Sequence, residues 1–128
     1  MKDNYKICVF CGSRKKTTPY MKKSILEYDK NGYIVLYPTG LFDNEFDVTE
    51  YAEDELMEKH FKRIDLSDLV IILTVNDYIE EGTRKELTYA RDNNKRILFI
   101  DYKVEDDKIL RYREIEEGIG IRRDEIYE

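Results

Sequence analysis

Tryptophan is absent, histidine occurs once, and cysteine and proline occur twice each in these 128 residues. These shortages exclude several classes. A zinc knuckle needs two pairs of Cys or His ligands, and Cys8, Cys11 and the distant His60 cannot supply them, so no metal site is expected. Cys8 and Cys11 lie three apart in one apolar run; on a strand they point to opposite faces, which argues against a disulfide and for two reduced, partly buried thiols. No apolar run approaches the ~20 residues of a membrane span. Basic excess is also missing: 22 Lys and Arg stand against 28 Asp and Glu, net −6, which argues against a nucleic-acid polymer as partner, because phosphate neutralisation needs a basic face. There is no GxGxxG, no Walker A sequence and no HExxH, so NAD, P-loop ATP hydrolysis and zinc proteolysis lack support and no cofactor is expected. Charges recur from Lys2 onward, unlike a signal peptide, and a cytoplasmic location is the expectation. No repeat or linker divides the chain, so residues 1–128 read as one domain.

What is present is a set of four apolar runs: Ile7–Cys11, Tyr33–Tyr37, Leu69–Val75 and Ile97–Ile100. They do not alternate with polar residues, as expected of strands buried on both faces. Helical patterns lie between them. Thr18 and Pro19 offer a cap and a first helical residue, with a stop at Asn31-Gly32. A second helix should begin near Asp47–Thr49 and run to about Ile64, with Ala52, Leu56, His60 and Ile64 as its apolar stripe. A third should span about Thr83–Asn93. The βαβαβαβ order predicts a three-layer α/β, Rossmann-like domain with a mainly parallel sheet, in the flavodoxin-like order that sets strand 1 beside strand 3. The charged segment after Asp101 is read as a helix over Asp106–Glu117 and a short strand at Ile119–Ile121.

In such a sheet the loops after the strands form the ligand face. After strand 1 come Gly12, Ser13 and Arg14, offering a bare backbone, a hydroxyl and a planar fork for phosphate or carboxylate. After strand 2 comes Tyr37-Pro38-Thr39-Gly40, a turn with an aromatic that either stacks on a ligand or edges the core. After strand 3, residues Asn76–Glu81 lead into Gly82-Thr83, whose N–H groups with that of Arg84 suit an anion. Glu86 lies one turn inside that helix. Thr83-x-x-Glu86 also fits a capping box, in which Glu86 merely reaches back to Thr83; local sequence leaves capping and chemistry both open. His60, on an apolar helical face, reads as a satisfied buried residue or as a site residue.

Three stretches carry a family resemblance: His60–Asp68, Asn76–Ile79, and Gly82–Ala90 with Asn94-Lys95-Arg96. Together they resemble the nucleoside 2-deoxyribosyltransferase superfamily, closest to its small bacterial and phage members. The start, Ile7–Ser13 with Pro19-Tyr20, is similar instead to the lysine-decarboxylase-like phosphoribohydrolases, which also use Gly-Thr-x-x-Glu; their preceding Pro-Gly-Gly is absent here. Relatives of the first kind commonly have Gly-Glu-Ser-Thr where this chain has Glu80-Glu81-Gly82-Thr83, which weakens a claim for a 5′-phosphate. The resemblance implies an N-glycosidic bond enzyme for a nucleoside or nucleotide, with Glu86 as nucleophile and Asp65 or His60 contacting the base or assisting its departure. Cys11, Gly12, Ser13, Arg14, Pro38, Asn76, Tyr78, Gly82, Thr83 and Arg84 would contact substrate. It also implies a homo-oligomer, a dimer or higher. The alternative is a domain that binds a nucleotide or ADP-ribose-type ligand without cleaving it.

Overall fold

The computed structural model describes residues 5–42 and 51–117, without the side chain of Arg14. The sheet holds β1 (Lys6–Cys11), β2 (Tyr33–Leu36), β3 (Leu69–Val75), β4 (Arg96–Glu105) and β5 (Lys108–Glu116) in the order β2-β1-β3-β4-β5. The first four are parallel and β5 runs antiparallel to β4. Helices α1 (Arg14–Lys30), α2 (Glu53–Leu66) and α3 (Glu81–Asp92) cover the two faces. Strand 1 lies beside strand 3, as the flavodoxin-like order requires. All seven residues of β3 are buried, which explains why its sequence shows no alternation.

The sheet separates two cores. On one face Cys8, Phe10, Ile71 and Leu73 pack with Met21 and Ile25 of α1. On the other Val9, Cys11, Val70 and Ile72 pack with Ile64 of α2 and Leu87 and Ala90 of α3. Cys8 and Cys11 thus point to opposite faces, both as free buried thiols.

Several boundaries differ from the sequence reading. Helix α1 begins at Arg14 with Ser13 as N-cap, so Pro19 lies inside it; lacking an N–H, Pro19 leaves the Lys15 carbonyl without its helical partner. The stop at Asn31 holds, with Gly32 at φ +93°, the left-handed conformation glycine allows at a helix end. The expected start of the second helix at Asp47–Thr49 lies outside the described residues; the described helix begins at Glu53. The expected helix over Asp106–Glu117 is instead the far arm of a hairpin. Asp106 and Asp107 have φ of 49° and 61°, the two positive values of a tight type I′ turn. The charges that suggested a helix are those of an exposed edge strand, where they oppose pairing with other chains. The strand expected at Ile119–Ile121 lies outside the described residues. Asp68 ties two strands together: its carboxylate accepts from Ile7 N–H at 2.9 Å and its own N–H donates to the Ile7 carbonyl at 2.7 Å. Among the described residues, no helix is long and apolar enough to cross a membrane.

Candidate active site

The carboxyl ends of β1, β2 and β3 open on a cavity of about 560 Å³, which α2 borders on one side and the start of α3 on another. That volume is in the range of small-molecule sites. Gly12 follows β1 at its floor, Pro38 and Thr39 follow β2, and Glu80 to Glu86 follow β3. Gly12 has a packing duty as well. A Cβ there would stand 2.8 Å from the Leu73 carbonyl oxygen and from Met21 Cε, so only glycine lets β1 pass into α1 this close to β3.

Glu86 does not close a capping box. Helix α3 starts at Glu81 with Glu80 as N-cap and no side-chain cap, which puts Thr83 inside the first turn, buried. Glu86 instead turns toward α2, with 12% of its side chain exposed and Oε2 3.7 Å from His60 Nε2. The N–H of Arg84 donates to the Glu80 carbonyl at 2.9 Å. The groups left over at this helix start are those of Glu81, Gly82 and Thr83.

His60 is held from both sides. Cys11 Sγ lies 3.3 Å from Nε2, and Arg63, one turn along α2, places Nη1 3.1 Å from Nδ1. The other arm of Arg63 donates to Thr39 Oγ1 at 2.6 Å. A guanidinium can only donate, so Nδ1 is the acceptor and the ring proton sits on Nε2, facing Cys11 and Glu86. Burial pushes His60 down to about 4, and the Arg63 charge adds to this; a backbone hydrogen bond with Phe10 opposes it. Burial lifts the Glu86 carboxyl to about 8 against the pull of Arg63. The Cys11 thiol is pushed well up by burial first and by Glu86 second. At neutral pH the site therefore holds a neutral imidazole, a thiol and a carboxyl poised to ionise.

Donor atoms of Cys11, His60 and Glu86 all lie within 4.8 Å of one another, close enough for one metal ion. The chemistry does not fit in this arrangement. A metal needs the Nε2 lone pair, whereas the Arg63 bond to Nδ1 leaves Nε2 as an N–H.

Of the residues singled out in the sequence, Gly12, Pro38, His60, Gly82, Thr83 and Glu86 line the cavity, and Cys11 supports it through His60. Others are placed elsewhere. Asp65 is in the last turn of α2, at the starting end of β3, where its carboxylate accepts from Tyr89 O–H at 2.7 Å. Asn76 staples β3 to β4 through both backbone groups of Val104. Tyr78 is exposed, with Lys16 Nζ 4.0 Å over its ring. Ser13 is buried as the N-cap of α1, its hydroxyl without a hydrogen-bond partner, and Arg14 opens that helix. The Arg84 side chain is exposed and outside the lining. Sequence reasoning missed Arg63 and Thr39. The signal for Arg63 was its place three residues after His60, the spacing that puts two helical side chains side by side.

No family model matches the chain, and no curated protein matches it in sequence. Among solved structures it is similar to the 2-desoxiribosyltransferase from Leishmania mexicana, at a TM-score of 0.58 and 19% identity, over 78% of this chain and 67% of that one. The two chains share a fold.

Proposed function

We propose that this protein breaks the N-glycosidic bond of a nucleoside and transfers the sugar, by preference 2-deoxyribose, to another base or to water. The observation that carries this reading is Glu86, a nearly buried carboxyl at the carboxyl end of the sheet with an N–H donor of His60 facing it. Once ionised, a Glu86 oxygen attacks the anomeric carbon. The carbon–nitrogen bond breaks with its electron pair going to the departing base, and a glycosyl ester remains on Glu86. An acceptor nitrogen or water then attacks the same carbon and frees the carboxylate. The likeness to a deoxyribosyltransferase fold supports this chemistry.

The cavity rim favours an uncharged nucleoside over its 5′-monophosphate. Glu53, Asp54, Glu80 and Glu81 border the cavity together with Glu86, against the cations Arg63 and Lys85. A phosphate among these carboxylates meets like charge at short range.

One observation favours a second reading, a domain that binds a nucleotide without cleaving it. With its carboxyl lifted by burial to about 8, Glu86 is mostly protonated at neutral pH, and a carboxylic acid is a poor nucleophile. A panel of deoxynucleosides, ribonucleosides and 5′-monophosphates, followed by chromatography with wild type and Glu86→Gln, with and without a free base, separates the two. Base release or exchange that disappears in the variant supports the enzyme. A panel member depleted from solution and recovered intact supports the binding domain.

A further inference from the structure

Arg63 has no part in the bond-breaking scheme above, yet it is the charged group wired most directly into the site. Its guanidinium is fixed by Thr39 in the loop after β2, at 2.6 Å, and by His60 Nδ1, at 3.1 Å. This joins the carboxyl end of β2 to α2 and, across His60, to Glu86 on α3. We propose that Arg63 is the positioning residue of the site: its fork locks His60 as the Nε2–H form, so that a neutral donor and not an imidazolium faces the Glu86 carboxylate.

An imidazole has two ring nitrogens, and a neutral ring carries its proton on one of them. Were Nδ1 protonated, its N–H would point into the guanidinium N–H at 3.1 Å, which no hydrogen bond can satisfy. Were both protonated, a second cation would sit against Arg63 in a buried setting. Only the Nε2–H form satisfies the contact. The same Arg63 charge draws the Glu86 carboxyl down against burial. Arg63 thus acts on both partners in one direction, toward neutral His60 and ionised Glu86. Thr39 matters because it takes the second arm of the fork and fixes the angle of the first.

Other titratable groups stand around the cavity that Glu86 borders. From β1 there is Cys11, which burial keeps as a thiol. From α2 come His60, Arg63, Glu53 and Asp54, and from the start of α3 Glu80, Glu81 and Lys85. Of these, Arg63 is the charge that acts on the Glu86 carboxyl. Of the two cations, Lys85 is 61% exposed and held by Glu81 at 3.7 Å, which leaves Arg63 as the partly buried one.

This inference rests on Glu86 being the nucleophile only for its effect on rate; the state of His60 is measurable without turnover. His60 is the single histidine of the chain, so its two ring nitrogens are read without ambiguity in a long-range proton–nitrogen NMR spectrum. Wild type at neutral pH is expected to show a protonated Nε2 and a bare Nδ1. Arg63→Met is expected to lose that preference and to move the rising limb of the kcat/KM–pH profile upward by about one to three pH units, the effect of removing a close opposite charge. Thr39→Val, which keeps the charge and frees one arm of the fork, is expected to mix the two ring forms with a smaller movement of the limb. A protonated Nδ1 in wild type overturns the inference, as does an unchanged His60 spectrum in both variants. If Glu86→Gln keeps full turnover, the glycosidic reading fails whatever His60 does; if Glu86→Gln is dead and His60 carries its proton on Nδ1, the Arg63 inference fails alone.

Discussion

Cys8 and Cys11 are the same residue on the same strand, both fully buried, and they live in different chemistry. Cys8 faces α1, among Phe10, Met21, Ile25 and Ile71. Burial alone lifts its thiol to about 12, with its own backbone pulling slightly the other way. Cys11 faces α2 and α3 and touches His60 at 3.3 Å, with Glu86 and Arg63 acting on it as well. One face of the sheet is chiefly a packing surface, where a side chain is judged by volume and the buried hydroxyls of Ser24 and Tyr102 satisfy each other at 2.7 Å. The other admits a chain of polar groups, Thr39, Arg63, His60 and Glu86, within an apolar wall. Buried polar groups are costly unless each has a partner, and this chain gives Arg63 and His60 theirs. Glu86 is the member left facing a donor at 3.7 Å, beyond a full hydrogen bond, and it borders the cavity.

The sharpest way to break this contrast is at Glu86. Glu86→Gln keeps size and removes the nucleophile, so turnover should fall on the order of 10³-fold or more, with the folded state preserved by circular dichroism. A comparable loss from a volume-conserving change at Cys8 would mean that the two faces do not differ in function. Next comes Gly12→Ala. Its new methyl would meet the Leu73 carbonyl at 2.8 Å, and backbone cannot step aside as a side chain does. Overpacking of this kind costs about 1–3 kcal/mol, read as a lowered denaturation midpoint in urea.

The polar face also makes stability depend on pH in two opposite ways. Glu86 has a carboxyl raised in the fold from 4.5 to about 8. Its neutral form is favoured by folding, so that contribution is whole below pH 4.5 and is lost as pH rises through about 8. His60 is lowered from 6.5 to about 4. Its contribution is present above pH 6.5 and is lost as pH falls through about 4. Urea midpoints across this span should therefore decline on both sides. Glu86→Gln should flatten the alkaline decline and leave the acid one. An alkaline decline unchanged in that variant would show that Glu86 does not titrate as its burial demands.

The smallest effect is expected from the cysteines themselves. Cys8→Ala and Cys11→Ala should each lower stability by about 1 kcal/mol through a small cavity. Only Cys11→Ala should change the pH profile of turnover, because only Cys11 touches His60. Equal profiles for the two variants would remove the distinction between the faces.

The same contrast explains what the sequence disclosed. The packing face and the strands were legible because a continuous apolar run such as Leu69–Val75 has one explanation, a strand covered on both sides. The placement of Gly12, Pro38 and Gly82 followed from the rule that loops after parallel strands gather at one edge. Glu86 was visible but ambiguous, since Thr83-x-x-Glu86 fits a capping box; the helix begins at Glu81, two residues before Thr83, and that shift frees Glu86. Arg63 was marked only by its place three residues after His60, and its bond to Thr39, 24 residues away, has no local signature. Asp65 shows the converse. Its neighbours in sequence suggested the site, but antiparallel travel of α2 against β3 carries it to the far edge, beside Tyr89. Strand β5 was hidden because Arg111, Glu114 and Glu116 are exposed charges that carry no strand period, and because the half-buried Arg113 reaches inward to Asp77 and Asp101, 36 and 12 residues away.

The most direct measurement is a search for the glycosyl ester. Protein quenched in acid during incubation with a deoxynucleoside panel, digested and examined by mass spectrometry, should carry one deoxyribosyl unit on the peptide containing Glu86, and Glu86→Gln should carry none. Turnover without any adduct, retained in Glu86→Gln, would contradict a nucleophilic Glu86 and with it the separation of this chain into a packing face and a chemical one.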